Sequence, residues 1–240
     1  MIRTDIPRAD YAHMGGSGTW GGDFPENAGI EGVKVLERDM EFETPFGTTV
    51  PMMLFEIPAE MTADHVAHTV LDIPFHGWKG LSPYHDTPSE RVFWVLQRAG
   101  VKYIVADGSG GGINPLLDPG DVIIPDDLID QTKRVSYLSK FTNKIVRMRD
   151  IVCPDLANLL YQEALKEYPR VFGRGTYAVD EAPRFETKAE VQRLYDQHCD
   201  ICGHTMMPEA ALARAIGACY AAIYLVSNTA DYNAAPWGTI

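Results

Sequence analysis

The sequence predicts an α/β fold: a single domain over residues 1–240 with a central mixed β-sheet flanked by helices. Strand-like and helix-like segments alternate along the chain, and the strand-like segments are apolar on both faces. Glycine-rich sequences follow several of these segments, as turns at strand ends do. A chain of 240 residues with 45% apolar and 22% charged residues buries a sufficient core without disulfides or a metal.

The first half of the chain contains three strand-like segments and one helical segment. Residues 69–73 form an apolar run, and residues 88–99 have apolar side chains at helical spacing before the stop at Gly100. Residues 101–106 are predicted to form a strand that ends in a glycine turn at residues 107–112. A third strand, residues 121–125, follows a Pro-Gly turn.

The second half continues the alternation. Helices are predicted at residues 153–168, 188–198 and 210–217, and strands at residues 177–179 and 220–226. The last strand is expected to stop at Ser227 and Asn228. Because ligands of α/β sheets bind beyond strand ends, we expect the functional site at these ends.

The charge balance excludes several classes of partner. Asp and Glu number 33 against 21 Lys and Arg, a formal charge of −12, which disfavours nucleic acid as the main partner. An anion could still bind in a local pocket of backbone N–H groups. Apolar runs are all well short of the ~20 residues of a membrane span, and the first residues lack a secretory signal. We therefore expect a cytoplasmic protein that binds neither nucleic acid nor membranes.

The cysteines are Cys153, Cys199, Cys202 and Cys219. Cys199 and Cys202 form a C-x-x-C beside His198 and His204, which leaves a zinc or redox site open. A zinc site of four cysteines usually needs a second close pair, which this chain lacks. We expect free thiols, with no metal and no cofactor.

Two glycine-rich segments could bind an anion. In residues 15–18 (Gly-Gly-Ser-Gly) backbone N–H groups and the Ser17 hydroxyl could act together, although a plain glycine turn is equally open. Residues 16–21 also fit G-x-G-x-x-G, but the sequence after them cannot open the helix of a dinucleotide fold. Ser109 has neither a G-x-S-x-G context nor a following Walker lysine, which disfavours an acyl hydrolase or a nucleoside triphosphatase.

Two further positions combine a polar side chain with an aromatic neighbour. His76 follows a strand beside Trp78 and could donate to a ligand, or it could be an ordinary satisfied histidine; His13, His65, His68 and His85 have no comparable setting. Phe185 could stack on a flat ligand, and Glu186 could accept from ring N–H groups. The sequence T-x-x-E from Thr187 also predicts a helix capping box there.

Seven motifs occur in order along the chain. They are residues 15–18, 43–47 (Glu-Thr-Pro-Phe-Gly), 111–115 (Gly-Gly-Ile-Asn-Pro), 119–121 (Pro-Gly-Asp), 182–187 (Ala-Pro-Arg-Phe-Glu-Thr), 205–210 (Thr-Met-Met-Pro-Glu-Ala) and 226–228 (Val-Ser-Asn). Over residues 15–232 the chain resembles the trimeric purine nucleoside phosphorylase and methylthioadenosine phosphorylase family. The resemblance implies phosphorolysis: inorganic phosphate, the co-substrate, attacks C1′ of a nucleoside and the purine leaves.

The resemblance also implies site residues. The phosphate-binding residues it implies are Ser17, His76, Ser109 and Thr205, and the nucleoside-binding residues are Trp78, Gly110, Phe185, Glu186, His204 and Asn228. It implies catalytic roles for His76 and Asn228. Glu186 and Asn228 match the 6-oxopurine branch, whereas residues 43–47 and 183–185 are more similar to the methylthioadenosine branch.

The chain departs from the family at three places. Pro74 and Phe75 stand where the phosphate-binding arginine is expected, and Lys79 or Arg91 could compensate. His204 replaces a methionine that packs under the ribose. The chain ends at Ile240, where relatives continue into a helix.

Three hypotheses follow. The first is a purine nucleoside phosphorylase acting on a nucleoside or a 5′-modified, methylthio-type nucleoside. The alternatives are a nucleoside hydrolase that uses water, motivated by the missing arginine, and a catalytically inactive purine-binding homologue. The resemblance implies a homotrimer or a dimer of trimers.

Overall fold

The computed structural model describes residues 2–16, 24–25, 29, 31–76, 89–132, 138–182 and 184–230. The predicted α/β class is confirmed: a mixed sheet is flanked by helices. In chain order the strands are β1 (Ile2–Arg3), β2 (Tyr11–Met14), β3 (Lys34–Thr44), β4 (Gly47–Thr48), β5 (Met52–Ile57), β6 (His68–Ile73), β7 (Tyr103–Gly112), β8 (Val122–Ile123), β9 (Asp127–Asp130), β10 (Val171–Phe172), β11 (Thr176–Val179), β12 (Ile201–Gly203) and β13 (Cys219–Thr229). The helices are α1 (Ser89–Ala99), α2 (Pro154–Glu167), α3 (Lys188–Asp196) and α4 (Glu209–Ile216), with a 3-10 turn at Ala59–Met61.

The predicted helices are all confirmed, with ends that shift by a residue or two. The capping box at α3 is also confirmed, because the Thr187 hydroxyl accepts from Glu190 N–H while the Glu190 carboxylate accepts from Thr187 N–H. The described part of the chain contains no helix with the length and apolar character needed to span a bilayer.

Along one edge of the central strand, β7, the neighbouring strand changes from β2 to β12, and we call the gap between these two neighbours the fork. The strand order is β1-β3-β5-β6-β2-β7-β12-β11-β9, and β13 runs parallel to β7 on its other side. The ladder between β7 and β2 ends at Ala106, whereas the ladder between β7 and β12 begins at Gly111. The segments that follow β2 and β12 therefore meet beside residues 107–110, in a crevice of the kind in which α/β sheets bind ligands.

Two predicted strand ends are wrong. Residues 107–112 do not form a turn, because β7 continues through them to Gly112. A Cβ at Gly108 would lie 2.7 Å from the Tyr224 ring, and one at Gly110 would lie 2.6 Å from the Cys202 carbonyl oxygen. Close packing between strands thus requires glycine here. β13 likewise passes Ser227 through a bulge between Val226 and Asn228 and ends at Thr229.

In the described part of the chain three apolar clusters pack on the sheet: one joins Met53 and Phe55 of β5 to Val70 of β6, and the other two differ in size. The larger cluster contains Tyr177, Tyr220 and Tyr224 together with the buried residues of α4 and α1. The smaller cluster joins Ala178 and Cys202 to the buried side of α3. Neighbouring residues of β11 thus enter different clusters, as alternation along a strand requires.

Candidate active site at the fork

The turn after β2 and the segment after β6 meet at the fork. Gly15 N–H donates to the Ile73 carbonyl at 2.8 Å, and His76 N–H donates to the Gly15 carbonyl at 3.3 Å. A Cβ at Gly16 would lie 2.2 Å from the Asp107 carbonyl oxygen, so glycine is required where this turn crosses β7. The structure therefore brings Gly15 and Gly16, the described residues of the first glycine motif, close to His76.

His76 is buried and hydrogen-bonded through one ring nitrogen. Its Nε2 lies 2.6 Å from Glu209 Oε1, and the Tyr220 hydroxyl donates to Glu209 Oε2 at 2.8 Å. Because a carboxylate oxygen accepts, Nε2 carries the shared hydrogen. The other nitrogen, Nδ1, is buried without a hydrogen-bond partner.

Thr205 is buried between two tyrosines. Its Oγ1 lies 2.9 Å from the Tyr224 hydroxyl and 3.2 Å from the Tyr177 hydroxyl. Burial raises the pKa of both tyrosines, so they remain neutral hydrogen-bond donors. We call His76, Thr205, Glu209 and the three tyrosines Tyr177, Tyr220 and Tyr224 the tyrosine network.

Ser109 and Gly110 lie within β7. Alternation along the strand places the Ser109 side chain on the face of Asp107. The Thr205 hydroxyl lies on the other face, 3.7 Å from where a Cβ of Gly108 would stand. A hydrogen bond between Tyr220 and Tyr224 links the two halves of the tyrosine network, so the structure joins His76 and Thr205 through it but does not place Ser109 beside them. Gly110 lies against the backbone of β12.

Two acidic side chains lie beyond the ends of β11 and β12. The Glu186 side chain is 8% exposed, and its Oε1 is buried without a hydrogen-bond partner, 3.9 Å from His204 Nε2. Asp180 Oδ1 accepts from Gln131 Nε2 at 2.8 Å, but Oδ2 is buried without a partner. Burial, followed by the charge of Glu186, raises the pKa of Asp180 to about 6. We call Asp180 and Glu186 the carboxylate pair.

Asn228 and Phe185, expected from the resemblance to bind the nucleoside, have the following positions. Asn228 is exposed and stands opposite Gly111 in the ladder of β13 and β7, while Cys202 of β12 stands opposite Gly111 on the other side. The bulge at Ser227 sets this register, and the Ser227 hydroxyl donates to Asn228 Oδ1 at 2.8 Å. Phe185 is 68% exposed, with its ring centroid 6.5 Å from that of His204.

The expected arginine is replaced by a core residue. Phe75 is buried and packs edge-to-face on Phe93 at 6.2 Å between centroids. Arg91, named as a residue that could compensate, uses part of its guanidinium within the fold, since Nε and Nη1 donate to the carbonyls of Phe46 and Thr48 at 2.9 and 3.1 Å. Ser17, Trp78 and Lys79, also named from the sequence, lie outside the described residues.

Sequence reasoning missed His13, which lies beside the glycine turn. Its Nδ1 is 2.5 Å from Asp72 Oδ1 and its Nε2 is 2.9 Å from Asp107 Oδ2. Asp107 Oδ1 in turn accepts from Gly16 N–H at 3.0 Å. Burial lowers the pKa of His13, but the hydrogen bonds to both aspartates outweigh it and raise the pKa to about 9. The available signal was an aspartate within each of two otherwise apolar strands.

The C-x-x-C motif packs as core. Cys199 and Cys202 are buried in the cluster under α3, and burial raises the pKa of Cys199 to about 11. Within the described ranges no three His, Cys, Asp or Glu side chains converge as metal ligands would.

Comparison with known proteins places this geometry in a family. The model of the phosphorylase superfamily matches residues 84–237. The S-methyl-5′-thioadenosine phosphorylase of Pyrococcus horikoshii is 36% identical over 208 residues, which cover 86% of this chain and 77% of that protein. A Thermococcus kodakarensis protein named "Probable 6-oxopurine nucleoside phosphorylase" is 34% identical over 202 residues, covering 80% of this chain and 72% of its own.

Solved structures agree. The crystal structure of a methylthioadenosine phosphorylase from an antarctic soil metagenomic library has a TM-score of 0.75 and 27% identity, covering 97% of this chain and 77% of that one. The family match covers well over half of the chain, and the relatives exceed 30% identity over most of their own length. The chain therefore belongs to the phosphorylase superfamily.

Proposed function

We propose that the protein catalyses phosphorolysis of a purine nucleoside, in which inorganic phosphate bonds to C1′ as the N-glycosidic bond breaks. The products are the free base and the pentose 1-phosphate. One observation carries the proposal. Among the described residues, the buried side-chain N or O atoms without a partner are His76 Nδ1, Asp180 Oδ2 and Glu186 Oε1, and all three belong to the candidate site.

An unpaired buried polar atom costs about 1–3 kcal/mol, so a ligand is expected to satisfy these atoms. His76 and the carboxylate pair lie on different sides of the fork, which suits a ligand with an oxyanion at one end and a donor-bearing ring at the other. Relatives named as methylthioadenosine and 6-oxopurine phosphorylases support this assignment.

The tyrosine network would bind phosphate. Thr205 Oγ1 has two acceptor lone pairs, so both tyrosines can donate to it and leave its own hydrogen for a phosphate oxygen. His76 Nδ1 would accept from a protonated phosphate oxygen. Ser17 of the glycine turn would complete this side. Ser109 faces away from Thr205, so we assign it no direct role with them.

The other side would bind the base and stabilise it as it leaves. Glu186 would accept from a ring N–H, and the Asn228 amide would contact the ring as negative charge develops on the departing purine. Phe185 would cover the ring, and His204 and Trp78 would contact the sugar. No cofactor is needed, because the base leaves with the bonding electrons and phosphate supplies the new bond to C1′.

The proposal extends to substrate branch, assembly and location. Glu186 and Asn228 favour 6-oxopurine nucleosides, with or without a 5′-methylthio group. A homotrimer or a dimer of trimers, and a cytoplasmic location, complete it. Light scattering tests the assembly, and a monomer would contradict it.

Product analysis tests the reaction. The protein is incubated with inosine, guanosine, adenosine and methylthioadenosine, each with and without phosphate, and the products are identified by chromatography. We expect base and pentose 1-phosphate only when phosphate is present. Base release at the same rate in phosphate-free buffer would instead indicate a hydrolase. Purine binding detected by calorimetry, without formation of any product, would indicate an inactive homologue. The variant Asn228→Ala should lose most of the turnover.

A further inference from the structure

We infer that Asp180 is a specificity-determining residue which, together with Glu186, selects purines that carry an amino group at C2. The protein would then prefer guanosine to inosine and disfavour adenosine. This inference rests on the proposed function, because it concerns the base pocket of the same site.

The two carboxylates belong to one place in the fold. Asp180 follows β11, and its N–H donates to the Gly203 carbonyl at 2.8 Å, at the point where β12 leads into His204. Glu186 Oε1 is 3.9 Å from His204 Nε2. Burial and then the charges of Glu186 and Asp180 raise the pKa of the Cys202 thiol, so both carboxylates lie near this residue of β12.

Among the described residues, the hydrogen-bond accounting leaves two acceptors, and the nearest donor beside Glu186 is the weak donor Cys202 Sγ–H. Asp180 Oδ1 already accepts from Gln131, whereas Asp180 Oδ2 and Glu186 Oε1 accept from nothing. The nearby His204 Nε2 donates to the Arg184 carbonyl at 2.9 Å, so its hydrogen is committed elsewhere. A ligand that satisfies both oxygens must present an edge rich in N–H groups.

Purine bases differ in this property. Hypoxanthine presents one N–H beside its oxo group, at N1. Guanine presents the same N1–H and, on the adjacent carbon, an amino group with two further hydrogens. Glu186 can take N1–H and one amino hydrogen as a carboxylate does in a bidentate contact, and the second amino hydrogen then needs another acceptor.

Asp180 Oδ2 supplies that acceptor. Hypoxanthine would leave Asp180 Oδ2 unsatisfied in the bound state. Adenine would place its N1 lone pair against a carboxylate, which is repulsive. A site that hydrogen-bonds a polar group discriminates strongly against an analogue without it, because its own buried group stays unpaired.

The test compares kcat/KM for guanosine and inosine at saturating phosphate, in the unmodified protein and in Asp180→Asn. A hydrogen bond to a charged group supports a preference for guanosine of roughly 10- to 100-fold in the unmodified protein. In Asp180→Asn we expect kcat/KM for guanosine to fall by about that factor, while kcat/KM for inosine changes less than about 3-fold. The matched control Asp196→Asn, an exposed aspartate at the end of α3, should leave both values unchanged.

Each other outcome has a definite meaning. An unmodified protein that uses inosine as well as guanosine overturns the inference, and so does a variant that loses both substrates equally. Cleavage of adenosine or methylthioadenosine but not of guanosine overturns the inference and leaves phosphorolysis intact. Failure to cleave any nucleoside defeats the proposed function itself.

A second measurement serves if Asp180→Asn does not fold. Free guanine and hypoxanthine are compared as inhibitors of the unmodified protein, and guanine is expected to inhibit at roughly 10-fold lower concentration or less. Equal inhibition by the two bases would overturn the inference. The variant Asp180→Ser, which keeps a hydroxyl acceptor, should restore part of the preference for guanosine relative to Asp180→Ala.

Discussion

The tyrosine network and the carboxylate pair differ in whether their buried polar atoms find hydrogen-bond partners within the protein. In the network, His76, Glu209 and Tyr220 form a continuous chain of internal hydrogen bonds, and only His76 Nδ1 is left over. In the carboxylate pair, one oxygen of each side chain is buried without any partner. The contrast indicates that the network contributes to folding stability while it holds its ligand groups in place, whereas the pair depends on a ligand.

The largest expected effect tests the network. Glu209→Ala leaves the buried His76 and Tyr220 without their shared acceptor, and we expect it to lower the free energy of unfolding by about 3–5 kcal/mol. Urea unfolding at pH 7 measures this. Glu163→Ala, which removes an exposed ion pair with Lys166 on α2, is the control and should cost less than about 1 kcal/mol. Equal stability of the two variants would contradict the conclusion that the tyrosine network stabilises the fold.

The second prediction tests the carboxylate pair. Glu186→Ala should lower kcat/KM about 100-fold, because the departing base loses its acceptor. Its melting temperature should stay equal or rise, since the variant removes a buried oxygen that has no partner. Steady-state kinetics and calorimetry measure the two effects. The control is Glu167→Ala, at an exposed residue of α2. A large loss of stability in Glu186→Ala would contradict the expectation that the carboxylate pair does not stabilise the fold.

The third prediction concerns His13. Both of its ring nitrogens are hydrogen-bonded within the protein, to Asp72 and Asp107, so it is internally paired like the tyrosine network. Its pKa is about 9 in the folded protein and 6.5 when unperturbed. The folded state therefore holds the proton more tightly, so the stabilisation is complete below pH 6.5 and is lost as the pH rises through about 9. We expect the gap in unfolding free energy between the unmodified protein and His13→Gln to shrink by roughly 2–3 kcal/mol from pH 6 to pH 10.

Urea unfolding at a series of pH values measures this gap. A gap that stays constant with pH would show that His13 is not held as an imidazolium between Asp72 and Asp107. His68→Gln, which removes a pairing with the exposed Asp64, provides the comparison for a histidine with one carboxylate partner.

The smallest expected effect tests how the pair is held. Thr187→Ala removes the capping hydroxyl of α3, immediately after Glu186, and should cost about 1 kcal/mol of stability. We also expect a modest rise in KM for the nucleoside, because the loop that presents Glu186 becomes less fixed. Thr187→Ser retains the hydroxyl and should restore both values. A variant with full stability and an unchanged KM would show that the cap does not support Glu186.

Much of the fold could be predicted from the periodicity of apolar residues, and the errors in the predicted strand ends have one cause. The helices α1 to α4 and the capping box at Thr187 follow from local sequence. The strand through residues 107–112 does not, because glycine disfavours strands locally and is retained there only by contacts with Tyr224 and Cys202. Such contacts join residues far apart in sequence, which local reasoning does not see.

The site divides in the same way. Motifs indicate Glu186 and His76 but not Asp180, Glu209 and His13, because each of these three is recognised by a partner distant in sequence. An acidic residue at a strand end is common, and only the burial of its Oδ2 without a partner marks Asp180. That property exists only in the folded chain.

The glycines of β7 have a consequence for engineering. Because Gly108 and Gly110 are enclosed by Tyr224, Ile201 and the backbone of Cys202, even an alanine would push the central strands apart. A library that varies this strand would return mostly insoluble protein, although most of its positions touch no substrate. Efforts to alter substrate range should randomise the loops after β11 and β12 and leave β7 untouched.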